Sequence, residues 1–520
     1  MSNQDLLLAI DQGTQSVRAM LFDLQGQLVA KSQQHIEPYF SAQPNWAEQD
    51  CDYFWQHLSL ACQQLWQQYP ELKTRVVAAA LTCQRASMVC LDKDMQPIRP
   101  ATIWLDSRRT DQYPTLPLWL QAGIKVAGQQ QIMYQLQSKA ECNWLAADYP
   151  EDWKKTRYFV QLSAYLTLKL TGNLADVTSS QVGYLPYDFK HQQWAAKHDI
   201  KWRALTVKRK QLCKLVQPSE QLGSISAAAA KATGIPQGLP LFAAGADKAC
   251  EVLAAGAISP EIGCISYGTT ATINTCNDKY IEPMPFVPAY NAAIPRHYTS
   301  EIIVQRGYWM VNWFKREFAQ QETMQAKAQG ISAETLFEQL LLQSPAGAQG
   351  LVLQPFWNPG VKFPGPEAKG AIIGFGDVHT RAHLYRAIIE GIAYALRQGK
   401  DQLEKRNKVA ITKLKVAGGG SQSDLIMQIT ANIFGLPAER PHTFEASGLG
   451  AAINAAVGAK YYTSHQEAVK HMSHAGKIFM PQPEHTQMYD EMYQQVYTQM
   501  YDRLSPLYRA IRKITGYPKY

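Results

Sequence analysis

Two segments far apart in the chain share one pattern: an apolar run, a Gly-Thr turn, and a second run of strand character. The first is Leu6–Ile10, then Asp11-Gln12-Gly13-Thr14, then Ser16–Phe22 with Val17, Ala19 and Leu21 on one face. Short apolar runs bounded by turn residues read as buried strands, and period-two alternation reads as a strand with one covered face. The second segment is Cys264–Tyr267 followed by Gly268-Thr269-Thr270. It is preceded by another apolar strand, Leu241–Gly245, that runs into Asp247, and by a helix-compatible stretch, Ala249–Ala257. The recurrence points to two units of similar plan, 1–254 and 255–520, meeting near Ala255.

The remaining punctuation fits mixed α/β units. Asp23-Leu24-Gln25-Gly26 is a hairpin turn, Leu28–Ala30 a returning strand, and Val76–Thr82 a further buried strand. Phe356–Gly370 is rich in Pro and Gly and reads as a long loop. His383–Leu396 and Asp424–Phe434 read as helices, Leu414–Ala417 as a strand, and Gly448–Val457 as a small-residue helix suited to close packing. Tyr489, Tyr493, Tyr497 and Tyr501 recur every four residues, a helical stripe that packs on the domain.

Composition narrows the function classes. With 520 residues, 46% of them hydrophobic, the chain can fill a large core. No apolar run approaches a membrane span, and the polar start Met1–Asp5 with its short Leu6–Ile10 run lacks a signal-peptide core. The expected location is the cytoplasm, with no membrane partner. The nine cysteines form no Cys-x-x-Cys pair, which argues against a disulfide framework or a zinc site. The net charge of +8 is modest, and the basic run Lys201–Lys214 reads as a solvated face, so no nucleic-acid partner is expected.

Five groups of residues have the makings of chemistry. In Asp11-Gln12-Gly13-Thr14-Gln15-Ser16, a carboxylate ends a buried strand, Gly13 permits close backbone approach, and Thr14, Gln15 and Arg18 offer donors to a phosphate. Asp11 would orient hydrated magnesium. Alone, the motif is equally an ordinary tight turn. Gly268, Thr269 and Thr270 repeat the arrangement, and two such turns facing each other would hold a triphosphate from both sides. Asp247 follows an apolar strand and is a general base for a hydroxyl attacking phosphorus, or else a helix cap. Gly418, Gly419 and Gly420, with Ser423 beyond, end a strand and open a helix, leaving room for a flat adenine or ribose, or forming a plain turn. Neither a Walker loop nor a dinucleotide fingerprint is present. Gln84, Arg85, Trp104, Asp106 and Arg109 combine polar groups with an aromatic wall, as a polyol pocket requires. Lys248 adds a cation beside Asp247.

Taken in order, these motifs resemble the FGGY family of carbohydrate kinases over nearly the whole chain. The most specific stretch is Gly370–Phe375, then His383-Leu384 and Ala387–Glu390, similar to the family's C-terminal signature. The resemblance implies an α/β, two-domain actin-like ATPase (ribonuclease H-like) fold with ATP and sugar in the interdomain cleft. The sugar side and base would lie in the first domain, and the nucleotide side and a helical tail in the second. It implies Asp247 as base, Asp11 at magnesium, and Thr14, Gly268 and Thr269 at phosphates. The expected activity is ATP-dependent phosphorylation of a ketopentose or polyol, with a homodimer among the assemblies the family uses. The alternatives are glycerol kinase proper, or an inactive nucleotide-binding regulator of the same fold. Ala86 and Lys248 stand where glycerol kinases carry Glu and Gln, and the Gln-Met-His of xylulokinases is absent at Gln84. A sugar-acid substrate would suit Lys248.

Overall fold

The computed structural model describes residues 5–358, 360 and 364–517. Six strands form the first large sheet: β1 (Leu6–Gln12), β2 (Ser16–Asp23), β3 (Leu28–His35), β4 (Val76–Cys83), β5 (Gln221–Ser224) and β6 (Pro240–Ala246), in spatial order β5-β6-β4-β1-β2-β3. Seven form the second: β7 (Ile262–Tyr267), β8 (Ala271–Asn277), β9 (Tyr290–Asn291), β10 (Tyr298–Val304), β11 (Lys413–Ala417), β12 (Ala438–Pro441) and β13 (Ala475–Phe479), in order β9-β10-β8-β7-β11-β12-β13.

The two sheets follow one plan. β1 heads an antiparallel meander through β2 and β3, and its other edge joins parallel β4, which joins parallel β6. β7 does the same through β8 and β10 on one side and parallel β11 and β12 on the other. Each parallel pair is finished by an antiparallel edge strand, β5 or β13. The recurrence of the Gly-Thr turn is therefore a recurrence of topology. In both sheets the turn follows the central strand, where parallel and antiparallel pairing meet.

The helices that matter for the site are α1 (Cys51–Gln68), α2 (Asp247–Ala254), α3 (Trp309–Glu317), α4 (Arg381–Asn407), α5 (Asp424–Phe434), α6 (Ala446–Gly458), α7 (His465–Met472), α8 (Pro483–Met492) and α9 (Thr498–Thr515). α1 covers one face of the first sheet, burying Phe54, Leu58 and Leu65 against Leu8, Ile10 and Leu21. The opposite face is covered by α2 together with α6 and α7, which come from the far end of the sequence. The division near Ala255 thus separates the sheets but not their helical layers. Small residues make this crossing possible: a Cβ at Gly448 or Gly450 would overlap the Met20 side chain or the Cys250 carbonyl.

The tyrosine stripe packs as its spacing suggests. Tyr489, Tyr493 and Tyr497 are buried beside Tyr394, and the Tyr489 and Tyr493 hydroxyls donate to Glu390 and Asp401 at 2.6 Å each. A π turn at Tyr493–Tyr497 interrupts the helix there. All nine cysteines are free and buried. The described part of Phe356–Gly370 has no regular structure, and residues 359 and 361–363 of that expected loop lie outside the described residues. Among the described residues no helix is long and apolar enough to cross a membrane.

Candidate active site

The site is built on the carboxyl edge of three neighbouring parallel strands. Gln12 on β1 and Ala246 on β6 are both level with Cys83 on β4. The next residues out are Gly13, Gln84 and Asp247, so three segments distant in sequence meet where ligands of open α/β sheets bind. Hydrogen bonds tie them together. The Gln84 amide donates to the Gln12 carbonyl at 2.9 Å, and Thr14 Oγ1 donates to Gln84 Oε1 at 2.7 Å. The Trp104 indole donates to Thr14 Oγ1 at 2.9 Å, joining the expected sugar-side segment to the first phosphate turn. Gln15 is exposed beyond it.

Asp247 opens α2, with its Oδ1 accepting the Lys248 amide at 2.7 Å. Burial raises its carboxyl above the ordinary range, while Lys248 and Arg85 pull it back. A carboxylate so placed holds a proton more readily than one in water, which suits a base that must accept one. The Lys248 ammonium donates to Ser266 Oγ at 2.5 Å and approaches Glu251 at 3.3 Å. Glu251, Asp247 and Glu301 hold that ammonium charged against the pull of burial.

Asp11 ends β1 deep in the same edge. Arg18 reaches its Oδ2 at 3.2 Å and Glu445 at 3.4 Å, and Lys31 reaches Glu445 at 2.8 Å. Burial, opposed by Arg18 and reinforced by Asp247 and Glu445, pushes the Asp11 carboxyl up to about 7. Its Oδ1 is buried without a partner among the described residues. An orphaned carboxylate oxygen among other carboxylates suits a divalent cation, and magnesium needs only one or two protein carboxylates beside phosphate and water. Among the described residues no cluster of three or more metal-binding side chains forms a closed cage.

The second turn is anchored by α3, since the Tyr308 and Trp309 amides donate to the Gly268 and Thr269 carbonyls at 3.0 and 3.1 Å. Thr269 is exposed, and Thr270 Oγ1 donates to the Gln305 carbonyl at 3.4 Å. Beside it, Gly418 leaves β11 with φ 84°, a conformation that favours glycine, and a Cβ there would crowd the Tyr267 carbonyl. A Cβ at Gly420 would overlap the Tyr308 ring. Two of the three glycines are thus required by the protein's own packing, and only Gly419 has an open Cα.

The structure redirects four expected site residues. Asp106 does not face the pocket as a free carboxylate. Arg108 Nε grips both its oxygens at 3.0 and 2.9 Å, the Ala47 amide donates to Oδ2 at 2.8 Å, and Arg108 continues to Glu48 at 2.8 Å. Arg18 is held between two carboxylates. Lys248 turns to Ser266 and the second turn, with Nζ 3.9 Å from where a Gly268 Cβ would stand, and so points away from the expected sugar-side residues. Ser423 caps α5, its Oγ accepting the Ile426 amide at 3.4 Å. Sequence reasoning missed Glu251, Glu301, Ser266 and Glu445. Glu301, Ser266 and Glu445 carry no local mark, because each acquires its role from a partner on another element, whereas Glu251 sits three residues after Lys248 on the same helix and that spacing could have found it.

Residues 6–254 match the N-terminal domain, and residues 263–459 the C-terminal domain, of the FGGY family of carbohydrate kinases. The chain is 29% identical to the uncharacterized sugar kinase YgcE of Escherichia coli, over 94% of this chain and 91% of that protein. It is 27% identical to the xylulose kinase of Lactococcus lactis, over 94% of each. The crystal structure of xylulose kinase from Rhodospirillum rubrum superposes with a TM-score of 0.81 at 24% identity, covering 97% of this chain and 100% of that one, so the fold is the two-domain actin-like ATPase fold. The chain belongs to the FGGY family of carbohydrate kinases, enzymes that phosphorylate a carbohydrate at the expense of ATP.

Proposed function

We propose that the chain transfers the γ-phosphoryl group of magnesium-ATP to a hydroxyl of a small ketose or polyol of about pentose size, with Asp247 as the base. The observation that carries this is the place of Asp247: half-buried, its pKa raised by desolvation, and at the shared carboxyl edge with Gly13 and Gln84. The sugar oxygen attacks phosphorus, its proton passes to the Asp247 carboxylate, and the bond to the leaving ADP oxygen breaks. Gln84, Arg85 and Trp104 line the sugar side. The Gly13-Thr14 turn and the Gly268–Thr270 turn present backbone amides and the exposed Thr269 hydroxyl to phosphates, Lys248 adds positive charge there, and Gly419 offers the flat surface for the base. Asp11 would hold magnesium, which neutralises phosphate charge when bound. A cytoplasmic location fits the ATP requirement. The xylulose kinase named above supports a ketopentose. ADP release from magnesium-ATP across polyols, ketopentoses, ketohexoses and sugar acids tests the reading. Strong stimulation by one neutral sugar is expected, and ATP hydrolysis independent of every sugar would overturn it.

A further inference from the structure

Arg85 and Glu301 form an ion pair between the two large sheets. Arg85 follows β4 of the first sheet, and Glu301 sits on β10 of the second. Their Nη2 and Oε2 atoms are 2.7 Å apart, with the Glu301 side chain 4% exposed. The Arg85 guanidinium lies over the Tyr290 ring, 4.0 Å from its centroid. The next residue, Ala86, has φ 60°, a backbone state rare outside glycine and typical of constrained functional turns. The pair also stands within electrostatic reach of the base: Asp247 acts on Arg85, and Glu301 acts on Lys248.

The contact is a single one. An Arg–carboxylate pair can close as a two-pronged fork, and this one does not. Here Arg85 Nε and Nη1 and Glu301 Oε1 make no hydrogen bond to the described residues. Two donors of Arg85 and one acceptor of Glu301 are thus free for a ligand, on a residue that follows Gln84 of the shared carboxyl edge and feels the charge of Asp247. Each of two neighbouring hydroxyls can accept from Arg85, and one can donate to Glu301. Both cations near the base are also already matched, Lys248 by Glu251 and Arg85 by Glu301, so Asp247 adds an unmatched negative charge. A carboxylated substrate would meet that excess negative charge in a buried setting.

We propose that Glu301 is a specificity-determining residue: with Arg85 it reads a vicinal pair of hydroxyls on a neutral ketose or polyol, and it turns away sugar acids. This deepens the kinase reading above and rests on it. It also replaces the sugar-acid expectation attached to Lys248.

The test is ADP release by the full chain with the best neutral substrate of the panel and with D-gluconate, for wild type, Glu301→Gln and Glu301→Asp. Wild type should use the neutral sugar and ignore gluconate. Glu301→Gln should lose about 10- to 100-fold in kcat/KM for the neutral sugar. Its KM for ATP should be unchanged, its selectivity should shift toward gluconate, and Glu301→Asp should recover part of the loss. A loss spread equally over sugar and ATP would mark a merely structural pair and overturn the proposal, as would an unchanged kcat/KM for the neutral sugar. Should Glu301→Gln fail to fold, calorimetric titration of wild type with both compounds decides: gluconate binding as tightly as the neutral sugar overturns the proposal. A wild type stimulated by no sugar at all would instead sink the kinase reading beneath it.

Discussion

Arg18 meets one oxygen of Asp11, Nη1 to Oδ2 at 3.2 Å, and leaves the other oxygen buried and without a partner among the described residues. A half-satisfied carboxylate is costly to keep charged, which is why burial pushes Asp11 up to about 7. Such a cost persists at a site where something else completes the group.

That cost predicts a stability gain on neutralising Asp11. Its carboxyl titrates near 3.8 when unfolded and about 7 when folded. Between these values the folded state binds the extra proton, so stability falls as pH rises through the window and the full cost stands above it. Asp11→Asn should therefore stabilise the ligand-free protein at pH 8 by at most about 4 kcal/mol, read as a higher Tm. The gain should vanish near pH 4, and the further stabilisation of wild type by magnesium-ATP should shrink in the variant. Thermal melts at the two pH values check it, and equal Tm values at pH 8 would refute the account.

Asp247→Asn keeps the shape of the side chain and removes its basicity. Its kcat should fall about 10²- to 10⁴-fold with ATP binding retained, measured by ADP release and by calorimetric ATP titration. Normal turnover would remove Asp247 from the role of base.

Lys248 lowers the Asp247 carboxyl through its charge. In Lys248→Met that help is gone, so Asp247 should hold its proton to higher pH. The acid limb of the kcat/KM profile for the sugar should move upward, and kcat should fall as the phosphate side loses a cation. A limb that stays in place would mean that Lys248 does not act on the base.

Gly450→Ala tests the crossing of α6 over α2. The added Cβ would overlap the carbonyl of Cys250, in the first turn of the helix that Asp247 opens. Overpacking here should cost about 1–3 kcal/mol and lower kcat by displacing Asp247, the proposed base. Gly123→Ala, in an exposed helix with open space around its Cα, should leave stability unchanged or slightly raised. Denaturant melts compare the two.

What the sequence determined by itself was what short-range pattern encodes. The apolar runs at Leu6–Ile10 and Cys264–Tyr267, the Gly-Thr turns after them, and the Asp that follows Leu241–Gly245 are local features. Strand-forming residues must bury their side chains, and turns must fall where glycine and hydroxyl residues permit. The bounds of α5 and the packing face of the tyrosine stripe were legible for the same reason. The tertiary structure alone decided which charges meet. Arg85 finds Glu301 at a separation of 216 residues, and Lys31 finds Glu445 at 414. Strand register brings Arg18 to Asp11, the fold brings Lys248 to Ser266, and Asp106 takes Arg108 from two residues along the chain. A charged side chain is informative about function only after its counterion is known, because the attraction falls off over a few ångströms and burial penalises whatever stays unpaired. The small-residue helix shows the same division. Its composition announced close packing, but only the fold could place α6, from the end of the chain, on the sheet that begins it.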